Sequence, residues 1–385
     1  MRAQAVGNRI ADAEVIVHHH DVGCCSHAVI MARVCIGTVS ARRLAGHLPD
    51  TGGAAMVPPM ETYTMRIRTL LALACMTSTP LMAAPATETH VLPMWMHGGH
   101  PIVAVQLGDS VEPLHFVIDS AAGATVVDEA TARRRGLEDA ASAERRVEGA
   151  TDRSTILRRT RTAGWHLGTF TFDAAMLQTD LSRLAGDGDR RIDGILGNDV
   201  TSRFDTTYDI AAQQALLQPP GSLVHDDACL RNALPQRDAS MQRFGFVPMR
   251  VTGTGVEVIG VVDTGAAQTV LNGAAAAALG FRTDGSDARV TVRAKGTRGL
   301  GERVVETWLA PLPGLRTGSW EHPTLEVRIS ELPVFASLGL KERPALILGA
   351  DAMTDTRVQI GRGAEWICLR RSEKRQLQGA PAAAR

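Results

Sequence analysis

The chain has 385 residues, enough for two domains of ordinary size. Its 41 basic and 41 acidic side chains balance, which argues against a nucleic-acid partner because such partners usually require a basic excess. The 37 glycines, together with scarce helical periodicity, favour a protein of strands and turns.

The first 86 residues differ from the rest. Residues 1–64 show no strand or helix period, and we expect them to be an unstructured extension. Residues 65–86 begin with the basic segment Met65-Arg66-Ile67-Arg68, continue with an apolar stretch and end in small residues, the order of a secretory signal peptide. The stretch is too short and interrupted for a membrane span. The sequence therefore predicts an exported protein, periplasmic or extracellular, without a membrane span.

Cleavage near Ala86 would leave Cys229 and Cys368 as the cysteines of the mature chain. In an oxidising compartment the two could form a disulfide. They could equally be two separate buried thiols.

Residues beyond 86 contain short elements typical of a β-rich fold. Runs of β-branched residues indicate strands. Asp128 and Asn272 are suitable helix N-caps, and Gly136 and Gly280 stand where the helices should end. In chain order we predict strands at 102–107 and 114–118, a helix at 128–135, a hairpin at 147–161, a strand at 256–262, a helix at 272–279 and a hairpin at 289–305, the hairpins lying over a cleft.

Two motifs recur in the same order. Residues 117–128, VIDSAAGATVVD, return 144 positions later as VVDTGAAQTVLN, and residues 194–199, GILGND, return 152 positions later as LILGAD. Such a repeat indicates two homologous lobes. We place them at 87–222 and 244–370, with a linker at 223–243 and a flexible tail at 371–385.

Asp119 and Asp263 each end an apolar run and are followed by small residues. A carboxylate delivered there needs hydrogen bonds, which the hydroxyls of Ser120 and Thr264 and the backbone of a tight turn can supply. One such Asp could simply cap a turn. Two in twofold-related lobes can meet, and adjacent like charges then share one proton. The ionised carboxyl can activate water while the neutral one protonates a carbonyl oxygen, so the chemistry needs no metal or cofactor.

The segment 263–271, DTGAAQTVL, and the segment 346–349, LILG, resemble those of retropepsin-like aspartic proteases; the first copy is similar through Asp119-Ser120 and ILG at 195–197. The resemblance covers both lobes. It implies an all-β fold of two acid-protease-like β-barrel lobes with short helices and flaps over a cleft. Both lobes come from one chain, as in pepsin-like enzymes.

The resemblance also implies an aspartic-type endopeptidase acting on a peptide or protein substrate, as a monomer with an intramolecular Asp pair. Asp119 and Asp263 would be catalytic. The implied loop-bracing residues are Ser120, Thr264, Ala121 and Gly265. The apolar-Gly motifs behind the loops would be Ile195, Leu196, Gly197, Ile347, Leu348 and Gly349.

Ala121 departs from the family pattern, which has Gly at that place. Its methyl group is tolerated if φ is negative and strained if φ is positive. Ala121 therefore supports an alternative, a catalytically impaired pseudo-protease that binds peptides. A separate alternative for an active enzyme is a dimer in which each lobe pairs with a lobe of another chain.

Overall fold

The computed structural model describes residues 88–152, 155–184, 191–234 and 243–373. The expected extension at 1–64, the signal peptide at 65–86 and most of the tail lie outside the described residues. Within the described ranges, no helix has both the length and the apolar composition to span a membrane.

The first lobe is built almost entirely of strands, as the sequence predicted. Its elements are β1 His90–His97, β2 His100–Leu107, β3 Leu114–Ile118, β4 Val126–Asp128, α1 Glu129–Arg134, β5 Arg145–Val147, β6 Thr155–Arg159, β7 Ala163–Leu167, β8 Phe170–Ala174, β9 Leu177–Thr179, β10 Gly194–Leu196, α2 Asn198–Thr201, β11 Asp205–Asp209 and β12 Gln214–Gln218.

The second lobe is likewise built mainly of strands with a few short helices. Its elements, with the strand that precedes it, are β13 Cys229–Arg231, β14 Phe246–Val251, β15 Glu257–Val262, β16 Val270–Leu271, α3 Gly273–Ala278, β17 Thr291–Val292, β18 Thr297–Arg298, β19 Val304–Val305, β20 Trp308–Leu312, β21 Leu315–Thr317, β22 Trp320–His322, β23 Leu325–Ile329, α4 Pro333–Ser337, β24 Ala345–Leu348, β25 Thr356–Ile360 and β26 Trp366–Arg371. Two 3₁₀ turns lie at Ala350–Met353 and Arg362–Ala364.

The predicted helix boundaries are confirmed by their caps. The Asp128 side chain accepts a hydrogen bond from the first turn of α1, and Asn272 does the same for α3. Gly136 and Gly280 follow the helices with φ of 62° and 71°, a conformation that glycine adopts without cost.

The internal repeat extends to strand pairing. β3 lies between β2, which is antiparallel to it, and β10, which is parallel. β15 lies in the same way between β14 and β24. Buried apolar side chains fill these central strands. The strand that leads to each Asp is therefore hydrogen-bonded to a neighbouring strand on both sides. This pairing fixes the position at which the strand ends and the Asp follows.

One sheet continues from the first lobe into the second. β11 pairs with β25, with Thr206 opposite Ile360. The order β1-β12-β11-β25-β26-β13 then completes the shared part of the sheet. The expected linker at 223–243 contributes β13 to this sheet, so it is not irregular throughout. This strand could not be predicted from the local sequence because its partner, β26, is far away in the chain.

Cys229 and Cys368 lie opposite each other on β13 and β26 and form a disulfide. The bond joins residues 139 positions apart and secures the shared sheet. Replacing both cysteines with Ser is expected to lower the free energy of unfolding by about 2–5 kcal/mol, because the reduced chain gains freedom when unfolded. Denaturant titration measures the loss. Reduced parent protein is the matched comparison, and an unchanged midpoint in both would contradict the expectation.

The two predicted hairpins have different outcomes. The first, which we call the first flap, is confirmed and spans 145–159, with Arg145 opposite Leu157. The second prediction, a single hairpin over 289–305, is wrong in its first arm, because β17 pairs with β20 instead. Gly296, with φ of 58°, turns the chain before β18. The remaining hairpin, β18 and β19 at 297–305, is the second flap.

Candidate active site

The loops that follow β3 and β15 meet through their hydroxyl residues. Ser120 Oγ donates to the Val262 carbonyl at 2.9 Å and accepts from Thr264 N–H at 3.0 Å. Thr264 Oγ1 donates to the Ile118 carbonyl at 2.8 Å and accepts from Ser120 N–H at 3.0 Å. Both side chains are fully buried. This reciprocal set of four bonds, the hydroxyl clasp, fixes one loop against the other and occupies the place that the sequence assigned to loop-bracing residues.

The clasp brings Asp119 and Asp263 together. Their carboxyl groups are in hydrogen-bonding contact with each other and are half-buried. Asp119 Oδ1 also accepts a bond from Ala121 N–H at 2.8 Å, and Asp263 Oδ1 accepts one from Ala266 N–H at 2.9 Å. The pair is therefore formed within one chain, and its members have similar backbone support.

The electrostatics of the two carboxyls differ in degree. Burial raises the pKa of Asp119, against the backbone N–H groups that favour its ionised form. Burial raises the pKa of Asp263 well above its usual value, and the adjacent Asp119 charge raises it further. Because the two carboxyls interact directly, a single shared proton belongs to the pair, which then holds one neutral and one ionised carboxyl.

The apolar-Gly motifs support the loops from behind. Asp119 N–H donates to the Leu196 carbonyl and Asp263 N–H to the Leu348 carbonyl, each at 3.0 Å. A Cβ at Gly197 would lie 2.6 Å from the Ala124 backbone, and the backbone is equally close at Gly349. Ile195 and Ile347 are buried beside their leucines. Only glycine allows the strand end and the loop to approach this closely.

The position after each hydroxyl residue is asymmetric. Ala121 does not have a positive φ, so its methyl group causes no backbone strain. Gly265 does not have one either. A Cβ at Gly265 would instead overlap the Asp119 carboxylate. Glycine is therefore required in the second loop by its contact with the opposite Asp, and alanine is tolerated by the backbone of the first loop.

The flaps bridge the cleft. A Cβ at Gly299 of the second flap would lie 2.9 Å from Thr151 Oγ1 at the tip of the first, and one at Gly301 would overlap Asp152. Leu300 packs against the apolar cluster of the first lobe that includes Ala122 and Ile195. The two tips therefore meet over the cleft, and the second flap reaches the wall of the other lobe.

Two Thr–Asp pairs that lie behind the loops were not identified from the sequence. Thr125 donates to Asp199 and Thr269 to Asp351, each at 2.7 Å. Each threonine oxygen also accepts from the N–H of the motif glycine, Gly197 or Gly349, at 3.1 Å. Because the Thr and Asp recur within the two repeated motifs, a search for polar positions common to both copies would have found them.

His100 was also missed. Its Nδ1 lies 2.7 Å from the Gly265 carbonyl oxygen, so this nitrogen donates and carries the proton. The contact joins the start of β2 in the first lobe to the loop after β15 in the second, which carries Asp263. Burial lowers the His100 pKa, although the nearby Asp119 charge opposes the shift. No motif signalled this residue, because its partner is a backbone atom in the other lobe.

In the part of the chain that the structure describes, no group of three or more His, Cys, Asp or Glu side chains is arranged to hold a metal ion. A family model described as aspartyl protease matches residues 103–200 and 247–352, together just over half of the chain. The two matched regions fall in the two lobes, and each contains one Asp of the pair. None of the curated proteins matches the chain.

Proposed function

Since the chain belongs to the aspartyl protease family, we propose that it is an active aspartic endopeptidase with Asp119 and Asp263 as its catalytic pair. The proposal rests chiefly on one observation: the two carboxyls, delivered by different lobes, are in hydrogen-bonding contact. The reaction requires one ionised and one neutral carboxyl at the same place.

In the proposed mechanism Asp119 is the general base and Asp263 the general acid. A water between the carboxyls loses a proton to Asp119 as its oxygen attacks the peptide carbonyl carbon. Asp263 gives its proton to the carbonyl oxygen, so the tetrahedral intermediate is neutral. Its collapse breaks the C–N bond as the proton held by Asp119 passes to the leaving amine. One hydroxyl of the intermediate returns its proton to Asp263 as the C=O bond of the product acid forms, which restores the starting pair.

Three further features belong to the proposal. The protease is retropepsin-like in its motifs, and two flaps that meet over the cleft are consistent with this subtype. It acts as a monomer, since one chain supplies both members of the pair. It is exported, to the periplasm or outside the cell, where the Cys229–Cys368 disulfide would persist.

The pH dependence of peptide cleavage tests the mechanism. Measured from about pH 2 to 8, kcat/KM is expected to be bell-shaped, because the free enzyme must hold one shared proton. Activity should fall in acid as the pair takes up a second proton and fall again at higher pH as it loses the shared one. Burial raises both pKa values, so the bell should lie above the range set by the ordinary Asp value of 3.8. A rate that rises steadily to alkaline pH would rule out the pair.

A pseudo-protease that binds peptides without cutting them is the second candidate. Ala121 favours it, because the family motif has glycine there. The backbone conformation of Ala121 weakens this argument. Its φ is not positive, so the methyl group does not strain the loop. Peptides that bind the cleft and are recovered intact across the whole pH range would favour the pseudo-protease.

A further inference from the structure

The internal repeat makes the two walls of the cleft directly comparable. β4 pairs with β9 in the first lobe, with Val126 opposite Leu177. β16 pairs with β23 in the second, with Val270 opposite Arg328. Val126 and Val270 are equivalent in the repeat, so Leu177 and Arg328 occupy the same place in their lobes.

The surroundings of the two residues differ in polarity. Leu177 packs into the apolar cluster that also holds Ala122, Ile195 and the second-flap residue Leu300. In the second lobe Val327 and Ile329 are buried in the core. Arg328 therefore points from the opposite face of β23, since successive side chains of a strand alternate. One wall of the cleft is apolar at this place, and the other carries a cation.

Arg328 lies beneath the second flap with unused hydrogen-bonding capacity. Its Nη1 donates to Thr297 Oγ1 of β18 at 3.4 Å, whereas its buried Nε has no hydrogen-bond partner among the described residues. The buried Oε1 of Gln268, five positions after Asp263, also lacks one there. Buried polar atoms normally have partners. The unpartnered Nε of Arg328 is therefore open to a polar group from outside the described residues.

The charges around Arg328 favour an anion. The Asp351 carboxylate, which accepts from Thr269 N–H, favours the charged form of Arg328 and so raises its pKa. Burial, with the nearby Arg293 charge, lowers the pKa of Arg328 to about 10, so its guanidinium remains cationic in acidic and neutral solution. The Arg328 charge also lowers the pKa of His100, which contacts the Gly265 carbonyl. The Arg328 backbone N–H donates to the Thr269 carbonyl at 2.9 Å, so Arg328 lies beside the segment that follows Asp263.

We propose that Arg328 makes the second-lobe wall of the cleft a subsite for an acidic side chain, Asp or Glu, of the substrate, opposite an apolar subsite at Leu177. The inference rests on the proposed function of the same cleft. A substrate carboxylate would satisfy the free Nε and form a charge-assisted bond with the guanidinium. The peptide preferred by the enzyme therefore carries an acidic residue on one side of the cleaved bond and an apolar residue on the other.

Cleavage-site profiling of a mixed peptide library by mass spectrometry tests the subsite. The parent enzyme should enrich Asp and Glu at one position. Two peptides that differ only by Glu or Gln at that position should differ in kcat/KM by about 10- to 100-fold, as expected for a hydrogen bond to a charged group. Arg328→Leu, which installs the residue of the first lobe, should abolish the difference, so that the Glu and Gln peptides are cleaved at the same rate. Arg328→Lys should retain part of it.

Arg316→Leu is the matched control, because it removes a cation that is exposed on β21 and paired with Glu321. It should keep the acidic preference. Equal rates of the parent on the Glu and Gln peptides would overturn the subsite, even if Arg328→Leu failed to fold. If the parent cuts neither peptide, their binding is compared by fluorescence anisotropy. A tighter Glu peptide then supports the subsite while refuting the proposed endopeptidase, and equal binding overturns both.

Discussion

Replacing Asp263 with Asn is expected to lower kcat for peptide hydrolysis by about 100- to 10,000-fold, the usual contribution of a general acid or base. The amide cannot donate an acidic proton to the substrate carbonyl oxygen, nor can it share one with Asp119. Its Oδ1 can still accept the bond from Ala266 N–H that holds the loop. Steady-state kinetics on one peptide, with binding measured separately, should show a loss in kcat and a nearly unchanged affinity.

The matched control for this variant is Asp109→Asn, which makes the same chemical change on the exposed turn between β2 and β3. Its activity should equal that of the parent. Both variants should melt at the parent temperature, so that loss of activity is separated from loss of fold. An Asp263→Asn enzyme that turns over at the parent rate would remove Asp263 from the mechanism, whatever the position of its side chain.

Local patterns were sufficient to predict much of the fold. The strand at 114–118 has the bounds found in the structure, because a short apolar run followed by a charged residue leaves little choice. The helices after Asp128 and Asn272 were recognisable because capping depends on neighbouring residues. β13 was missed because a strand of three residues owes its existence to the distant β26. The displaced arm of the second flap was missed for the same reason, since its partner is β20.

The candidate site was also predictable only in part, because some of its contacts depend on residues that are distant in the sequence. Asp119, Asp263 and their hydroxyl neighbours could be found because they recur in both copies of the repeat. The contacts of His100 and Arg328 could not be found in this way, since the repeat is broken at both positions. The asymmetry between lobes is where the two walls of the cleft acquire different chemistry. A search limited to what the two repeats share therefore finds the Asp pair. It overlooks the residues that are proposed to distinguish one end of a substrate from the other.

Replacing Gly265 with Ala is expected to lower kcat/KM by about 100-fold, because a misplacement of about 1 Å in a catalytic group can cost that much in rate. The added Cβ would overlap the Asp119 carboxylate, so one of the two loops must move. Movement is resisted by the hydroxyl clasp, in which Ser120 and Thr264 are fully buried. The strain should therefore appear in the geometry of the Asp pair, with a displaced pH profile as well as a lower rate.

Ala121→Gly is the matched change in the first lobe. It removes a methyl group from the equivalent position, where φ is not positive, and preserves the bond from residue 121 N–H to Asp119 Oδ1. Its rate should change much less than that of Gly265→Ala, with a rise if the methyl group crowds the pair. Kinetics and pH profiles of the parent and the two variants on one peptide decide the matter. If Gly265→Ala retains the parent rate and profile, the two carboxyls do not depend on the close contact between Gly265 and Asp119. If Ala121→Gly instead causes the larger loss, the methyl group of the first loop is part of the active geometry. The first loop, and not the second, would then be the one that is sensitive to the residue after its hydroxyl.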